Sequence, residues 1–172
     1  MARNVEIKAR IQSIEALAER VSAIADEGPI EMLQDDTFFT CERGRIKLRA
    51  FSATEGQLIF YQRPNEKGPK ESSYVISPVA APDSLREALS LAYGQVGRVR
   101  KHRTLYVVGR TRVHLDRVEG LGQFVELEVV LREGEDTTPG IEEAHCLMAL
   151  LGISSKQLLD VAYIDLLGQR RA

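Results

Sequence analysis

The sequence predicts an α+β protein: an antiparallel eight-stranded β-barrel with helices packed on the outside. Three observations favour this fold class. Several short runs alternate charged with apolar residues, as strands with two different faces do. Turn signals separate these runs at short intervals, and apolar residues at helical spacing occur at three points in the chain. About eight strands can close a barrel whose interior holds side chains or one small ligand.

The composition is that of one folded domain. The 172 residues are 44% hydrophobic and 28% charged, which suits a single domain over residues 1–172. Cys41 and Cys146 stand far apart, so neither a disulfide framework nor a zinc site is expected. No apolar run approaches the ~20 residues that cross a bilayer, so we expect a cytoplasmic protein without a membrane partner. The net charge of −2 argues against bulk binding to nucleic acid.

The chain begins with a strand and a helix. Residues 4–11 alternate polar with apolar side chains and form the first predicted strand. Ser13 suits an N-cap, and the apolar residues from Ile14 onward have helical spacing. Gly28-Pro29 is expected to end this helix.

Strands dominate the middle of the chain. Residues 30–74 read as an antiparallel meander, because short strand candidates are separated by turn signals at residues 42–44, 55–56 and 64–69. Pro82 opens a second helix that Gly94 closes. A second meander follows, with strands predicted over residues 98–108, 111–117 and 122–132.

The predicted C-terminal part is helical. Thr138-Pro139 places a cap before a proline at the first helical position, and Gly152 ends the helix that follows. Ser154-x-x-Gln157 is a capping-box candidate for a last helix that contains Leu158, Leu159 and Val161.

The period of two does not decide which face of the sheet points inward. Antiparallel sheets commonly expose their charged face to water. The like-charged run Arg45-x-Lys47-x-Arg49 and the pair Glu126-x-Glu128 argue for an inward face, because exposed faces usually mix signs. The strand over residues 98–108 carries basic residues on both faces. By pattern alone the two arrangements remain open.

Seven segments in order resemble the CYTH superfamily, the triphosphate tunnel metalloenzymes, which includes class IV adenylyl cyclases, thiamine triphosphatases and inorganic triphosphatases. The resemblance spans nearly the whole chain. Its segments are Val5-Glu6-Ile7-Lys8, Asp36-Thr37-Phe38-Phe39, Gly44-Arg45-Ile46-Lys47-Leu48-Arg49, Leu58-Ile59-Phe60-Tyr61-Gln62-Arg63-Pro64, Lys70-Glu71-Ser72-Ser73-Tyr74, Lys101-x-Arg103, and Arg112-Val113-His114-Leu115-Asp116 with Gly120-Leu121-Gly122-Gln123-Phe124-Val125-Glu126-Leu127-Glu128. It implies that the charged face lines a triphosphate tunnel inside the barrel.

The resemblance also implies site residues. The cations expected to bind phosphate oxygens are Lys8, Arg45, Lys47, Arg49, Arg63, Lys101, Arg103 and Arg112. The carboxylates expected to hold Mg²⁺ or Mn²⁺ are Glu6, Asp116, Glu126 and Glu128. Lys8 and Lys70 are the predicted catalytic residues. The alternative for the phosphate-binding cations and the carboxylates is a lattice of salt bridges, and the alternative for Lys70 is a solvated surface lysine. His114 is expected to be a hydrogen-bonded structural residue.

One position departs from the family's Glu-x-Glu-x-Lys signature, because Asn4 stands where the first glutamate is expected while Glu6 and Lys8 are retained. An amide oxygen brings no charge to a metal and cannot act as a base, so weaker binding of one ion is expected.

Three functions follow from the resemblance. The first is metal-dependent hydrolysis of an organic or inorganic triphosphate. The second is a class IV adenylyl cyclase that converts ATP to cyclic AMP and pyrophosphate, and the third is a non-catalytic nucleotide or polyphosphate-binding module. The expected partner is a small-molecule triphosphate, namely ATP, thiamine triphosphate or inorganic triphosphate, with a homodimer compatible with the sequence. Nucleic acid is not an expected partner.

Overall fold

The computed structural model describes residues 1–171, which contain eight strands, four α-helices and one 3₁₀ turn over Ser155–Gln157. No helix in this part of the chain is long and apolar enough to span a membrane. The strands are β1 Ala2–Arg10, β2 Glu27–Phe39, β3 Arg45–Ala50, β4 Gly56–Gln62, β5 Lys70–Val79, β6 Gln95–Val108, β7 Thr111–Val118 and β8 Gly122–Val130. The helices are α1 Ile14–Ser22, α2 Pro82–Tyr93, α3 Thr138–Leu151 and α4 Tyr163–Arg171.

The eight strands form a closed barrel in the order β1-β5-β4-β3-β2-β6-β7-β8. Every neighbouring pair is antiparallel, and β1 closes the ring by pairing with both β5 and β8. Closure leaves no free sheet edge, so the two faces of the sheet become an inside and an outside. The predicted fold class is confirmed.

The main apolar core lies outside the barrel, where α1 and α3 pack on β1, β7 and β8. The helices contribute Leu17, Val21, Leu147, Met148 and Leu151, and the strands contribute Ile7, Ala9, Val113, Leu115, Val125 and Leu127. Because the helices bury the apolar face of these strands, the alternating charged residues point into the barrel. The inward arrangement, which the sequence pattern left open, is therefore the one adopted.

Strand β6 has basic residues on both faces, and the structure separates them clearly. Lys101 and Arg103 lie inside the barrel and are 5% and 3% exposed. Arg98 and Arg100 lie on the outside, where both form ion pairs with Asp35 of β2. Only the inner pair can contribute to a site within the barrel.

Helix α4 covers one end of the barrel. Its Ile164 packs so closely on Gly97 of β6 that a Cβ there would come within 2.6 Å of the Ile164 side chain. The ring of Tyr163 lies 4.9 Å from that of Phe124, centroid to centroid. These contacts place Tyr163 at the wall of the barrel interior.

Helix α1 is shorter than expected, because it ends at Ser22 and Gly28-Pro29 belongs to β2. The Asp26 backbone N–H donates to the Val107 carbonyl, which draws the chain into the sheet early. Gly28 lies beside a register shift with φ +107°, and a Cβ there would be 2.6 Å from the Leu105 carbonyl oxygen. Only glycine fits this backbone position.

The predicted last helix is wrong in its position. The capping box of Ser154 and Gln157 is present, but it begins only the single 3₁₀ turn. After it, Leu158 bridges to Ala9 and the Leu159 N–H donates to the Lys8 carbonyl. These contacts with β1 keep the chain extended, so the helix begins only at Tyr163.

Candidate functional site

The barrel interior is a tunnel with a cavity volume of about 310 Å³. Seven cationic side chains and four carboxylates line it, a net charge of +3 with histidine neutral. The cations are Lys8, Lys47, Arg49, Arg63, Lys101, Arg103 and Arg112, and the carboxylates are Glu6, Asp36, Glu126 and Glu128. An excess of positive charge within a closed barrel attracts anions.

Asp116 is the centre of the first charged cluster and is fully buried. Its carboxylate accepts two hydrogen bonds from Arg103, both 2.6 Å, and one from Lys101 at 3.1 Å. The hydroxyl of Tyr163 donates a fourth at 3.0 Å. Burial alone would raise the pKa of Asp116, but the Arg103 and Lys101 charges outweigh it and hold that pKa below its usual range.

Asp116 was predicted to bind metal, and the structure surrounds it with cations instead. It does not line the tunnel cavity, whereas the Arg103 and Lys101 that it holds do. Its geometry is that of a residue orienting two phosphate-binding candidates. Metal binding by Asp116 remains a prediction.

Asp36 is the centre of a second cluster and was not among the predicted site residues. It is 2% exposed and accepts from Arg49 at 2.7 and 2.8 Å and from Lys47 at 2.8 Å. Burial opposes ionisation of this carboxyl, but the Arg49 and Lys47 charges hold its pKa well below the usual range. The sequence signal that could have identified Asp36 was the basic run of β3, because buried cations need a carboxylate on a neighbouring strand.

Glu126 and Glu128 project from β8 next to His114 of β7, and ligand atoms of the three residues lie within 4.8 Å of one another. Glu126 also binds Lys8 at 2.7 Å and Arg103 at 2.5 Å, while Glu128 binds Arg112 at 2.8 Å. Burial would raise the pKa values of both carboxyls, but the neighbouring positive charges hold them below their usual range. Two ionised carboxylates and an imidazole are a donor set that a divalent ion can use.

Glu6 faces the same region from β1 and pairs with Arg63 at 3.1 Å. Burial raises the pKa of Glu6, and the nearby charges of Glu128 and Glu126 act in the same direction. A positive ion among these three carboxylates would relieve their mutual repulsion.

Three buried side-chain atoms lack a hydrogen-bond partner among the described residues, and all three belong to residues that line the tunnel. They are Asn4 Oδ1, Gln34 Oε1 and His114 Nδ1. Buried polar atoms are normally bonded, so unsatisfied oxygen and nitrogen atoms suit a site that binds a polar ligand or a cation.

Lys8 and Lys101 approach Tyr163 from the tunnel side. Their ammonium nitrogens lie 3.6 and 5.0 Å from the centre of its ring, within cation–π range. Burial and the Arg103 charge lower the pKa of Lys101 to about 7. An anion in the tunnel would favour its charged form.

Besides Asp116, two further predicted site residues do not line the cavity. Arg45 binds Asp165 of α4 at 2.8 Å, so it ties β3 to that helix. Lys70 donates to the carbonyls of Glu66 at 2.6 Å and Leu159 at 3.4 Å. Burial and the Arg63 charge lower the pKa of Lys70 to about 8. The predicted roles of both residues stay predictions.

The comparisons with known proteins agree with this architecture. The model of the CYTH domain family matches residues 2–163. The adenylate cyclase CyaB of Aeromonas hydrophila is 29% identical over 174 residues, which cover 96% of this chain and 88% of that protein.

Solved structures share the fold. A Pyrococcus horikoshii protein has a TM-score of 0.83 at 20% identity, and the match covers 94% of this chain and 98% of that protein's chain. A Hippeastrum protein, described as a putative adenylyl cyclase with a dominant triphosphatase activity, has a TM-score of 0.67 at 15% identity, covering 97% and 96%. At these identities the likeness concerns the fold alone. Because the family model matches almost the entire chain, the protein belongs to the CYTH domain family.

Proposed function

We propose that this protein is a metal-dependent enzyme that hydrolyses an organic or inorganic triphosphate bound in its tunnel. The observation that carries the proposal is the combination of seven inward cations with four carboxylates in the cavity of one closed barrel. A polyphosphate needs many positive partners, and a metal ion needs hard oxygen ligands. The tunnel offers both within about 310 Å³.

The buried carboxylates hold the cationic side chains in orientations that could bind phosphate. Arg49 uses its Nε and Nη2 groups on Asp36, and Arg103 uses the same two groups on Asp116. A guanidinium has five N–H donors, so each arginine keeps donors for a phosphate oxygen. Because the side chains are already oriented, little reorganisation is required when the anion binds.

The carboxylates of Glu6, Glu126 and Glu128 are the proposed holders of Mg²⁺ or Mn²⁺, and the unpartnered Oδ1 of Asn4 fits the same role. Such an ion would neutralise phosphate charge and increase the acidity of a bound water.

Hydrolysis requires water to attack the terminal phosphorus while its bond to the bridging oxygen breaks and a diphosphate leaves. Negative charge grows on the leaving oxygen, and Lys8, Lys101 and Arg103, which line the tunnel, would stabilise it. Their positions along the tunnel would also align the phosphate chain for in-line attack. Hydrolysis needs no further group for a sugar or base.

The second candidate is adenylyl cyclase activity. It is favoured by the adenylate cyclase relative, whose similarity extends over 96% of this chain. In this reaction the ribose 3′-hydroxyl attacks the α-phosphorus of ATP and pyrophosphate leaves. The same cations would bind the β- and γ-phosphates, with the nucleoside placed toward the reacting α-phosphorus.

A product assay separates the candidates. The purified protein is incubated with ATP, inorganic triphosphate or thiamine triphosphate, under Mg²⁺ or Mn²⁺, and the products are resolved by anion-exchange chromatography. Hydrolysis yields phosphate and the corresponding diphosphate or pyrophosphate. If ATP gives cyclic AMP without ADP, the reaction is cyclisation and the hydrolysis proposal is wrong. Tight triphosphate binding that leaves every substrate intact would overturn the enzyme proposal.

Matched arginine variants test whether the tunnel is the site. Arg49→Met removes an inward guanidinium, whereas Arg98→Met removes one from the outer face of the same barrel. Loss of a charged hydrogen bond of about 1.5–3 kcal/mol predicts triphosphate binding weaker by about 10- to 100-fold in Arg49→Met. Arg98→Met should bind as the natural protein does, and equal effects of the two changes would contradict a tunnel site.

A further inference from the structure

The imidazole of His114 has an arrangement that the sequence did not predict. The side chain projects into the tunnel from β7, and the residue is 5% exposed. Its Nδ1 lies 3.7 Å from Glu126 Oε2 and 3.7 Å from Glu128 Oε1. Both distances are too long for hydrogen bonds, and this nitrogen has no hydrogen-bond partner among the side chains that the structure describes. A buried nitrogen that faces two carboxylates and bonds neither calls for a physical explanation.

A shared metal ion accounts for these separations. Bonds from a transition metal to imidazole nitrogen and carboxylate oxygen are each about 2.1 Å, so two ligand atoms of one ion can be up to about 4.2 Å apart. The two 3.7 Å separations fall within this limit. A direct hydrogen bond would instead bring the nitrogen to about 2.9 Å from one carboxylate.

The competing contacts do not block such an ion. Glu128 directs Oε2 toward Arg112, and its Oε1 is the atom that faces His114. Glu126 directs Oε1 toward Lys8, and its Oε2, the atom that faces His114, also accepts from Arg103. Because a carboxylate has about four lone-pair positions, Oε2 can accept a second partner. Each of the three residues therefore retains a ligand atom for the ion.

We propose that His114 is a metal ligand, that with Glu126 and Glu128 it forms a site of one nitrogen and two carboxylates, and that this site prefers Mn²⁺ to Mg²⁺. Imidazole binds transition metals well, whereas Mg²⁺ favours oxygen ligands and keeps several of its waters. A catalytic role of this ion rests on the proposed function, since the ion would then bind next to the triphosphate. Ion binding itself can be measured without any triphosphate.

Calorimetric titration of the full chain with Mn²⁺ and with Mg²⁺ tests the proposal. The natural protein should bind Mn²⁺ at least about tenfold more tightly than Mg²⁺. Disturbing residues that merely support metal ligands weakens affinity by about 10- to 100-fold, so His114→Gln should lose at least about tenfold in Mn²⁺ affinity. Mg²⁺ affinity should change far less. The matched control is His102→Gln, because His102 also pairs with a glutamate, Glu31, but on the outer surface.

A second measurement uses the natural protein and covers the case in which His114→Gln fails to fold. The chain has only three histidines, so their imidazole resonances can be separated by NMR. Substoichiometric Mn²⁺ should broaden the His114 signals before those of His102 and His145. Equal broadening of all three, no broadening, or unchanged Mn²⁺ affinity in folded His114→Gln would overturn the proposal.

These outcomes are independent of the proposed function. A protein that binds Mn²⁺ through His114 but leaves every triphosphate intact would overturn the enzyme proposal and leave this inference standing. Triphosphate hydrolysis by the natural protein, together with unchanged Mn²⁺ affinity in His114→Gln, would overturn this inference and leave the enzyme proposal standing.

Discussion

Replacing Asp116 by asparagine should destabilise the protein strongly. The carboxylate is fully buried and accepts from Arg103, Lys101 and Tyr163. Asparagine keeps the shape but removes the charge, and its NH₂ group would face donors. Removing one partner of a buried ion pair costs about 3–5 kcal/mol. Because Arg103 retains Glu126 at 2.5 Å, we expect the lower end, about 3 kcal/mol.

The expected loss can be measured as a melting temperature. In a chain of this size, 1 kcal/mol corresponds to about 2–4 °C, so Asp116→Asn should melt about 6–12 °C lower. Circular dichroism during thermal unfolding provides the measurement, with the urea midpoint as an independent check.

The matched control for this experiment is Asp35→Asn. Asp35 forms a similar two-point pair with Arg98, but on the outside of the barrel, where the Arg98 side chain is 40% exposed. Exposed pairs contribute at most about 1 kcal/mol, so this variant should melt less than about 4 °C lower. If Asp116→Asn shifts the melting temperature no more than Asp35→Asn does, the reasoning about the buried cluster is refuted.

Three further predictions concern polar and charged residues in and around the tunnel. The folded-state pKa values of Asp116 and Glu126 are lowered, so their stabilisation is complete above the unfolded values near 4 and is lost as the pH falls. Thermal melts should therefore show falling stability below about pH 4, less steeply in Asp116→Asn. Lys8→Met should reduce kcat/KM for the turned-over triphosphate by about 10-fold or more, because Lys8 lines the tunnel. Lys70→Met should reduce kcat/KM less than Lys8→Met does. It should also lower the melting temperature, because the ammonium of Lys70 binds two backbone carbonyls. Equal losses of kcat/KM in the two variants would favour the predicted catalytic role of Lys70. Asn4→Glu adds a carboxylate and should tighten Mg²⁺ binding on the order of tenfold by calorimetry, whereas unchanged binding would show that Asn4 does not limit the site.

Several predicted site residues meet because they lie opposite one another on neighbouring strands. Arg103 lies directly opposite Asp116, Lys8 lies opposite Glu126, and Arg112 lies opposite Glu128. Since side chains alternate between faces with a period of two, residues on one charged face can be grouped from sequence alone.

The roles within the group could not be predicted in the same way. Asp36 has no charged neighbour two residues away on its own face of β2, and its importance emerges only when β2 pairs with β3 and brings it to Arg49. His114 is a single histidine in an alternating strand, and its unbonded nitrogen is a matter of distances between three side chains. Local sequence carries no information about such distances.

The sequence by itself determined the strands, the two faces of each strand and the order of the charged segments, because these depend on local spacing and turn chemistry. Only the tertiary structure decided that the charged faces point inward. Barrel closure joins β1 to β8, and α1 and α3 bury the apolar faces outside. Once the charges are enclosed, burial forces each carboxylate to take cationic partners or a metal ion. That requirement separates Asp116 from Glu126 and Glu128, which the sequence had grouped together.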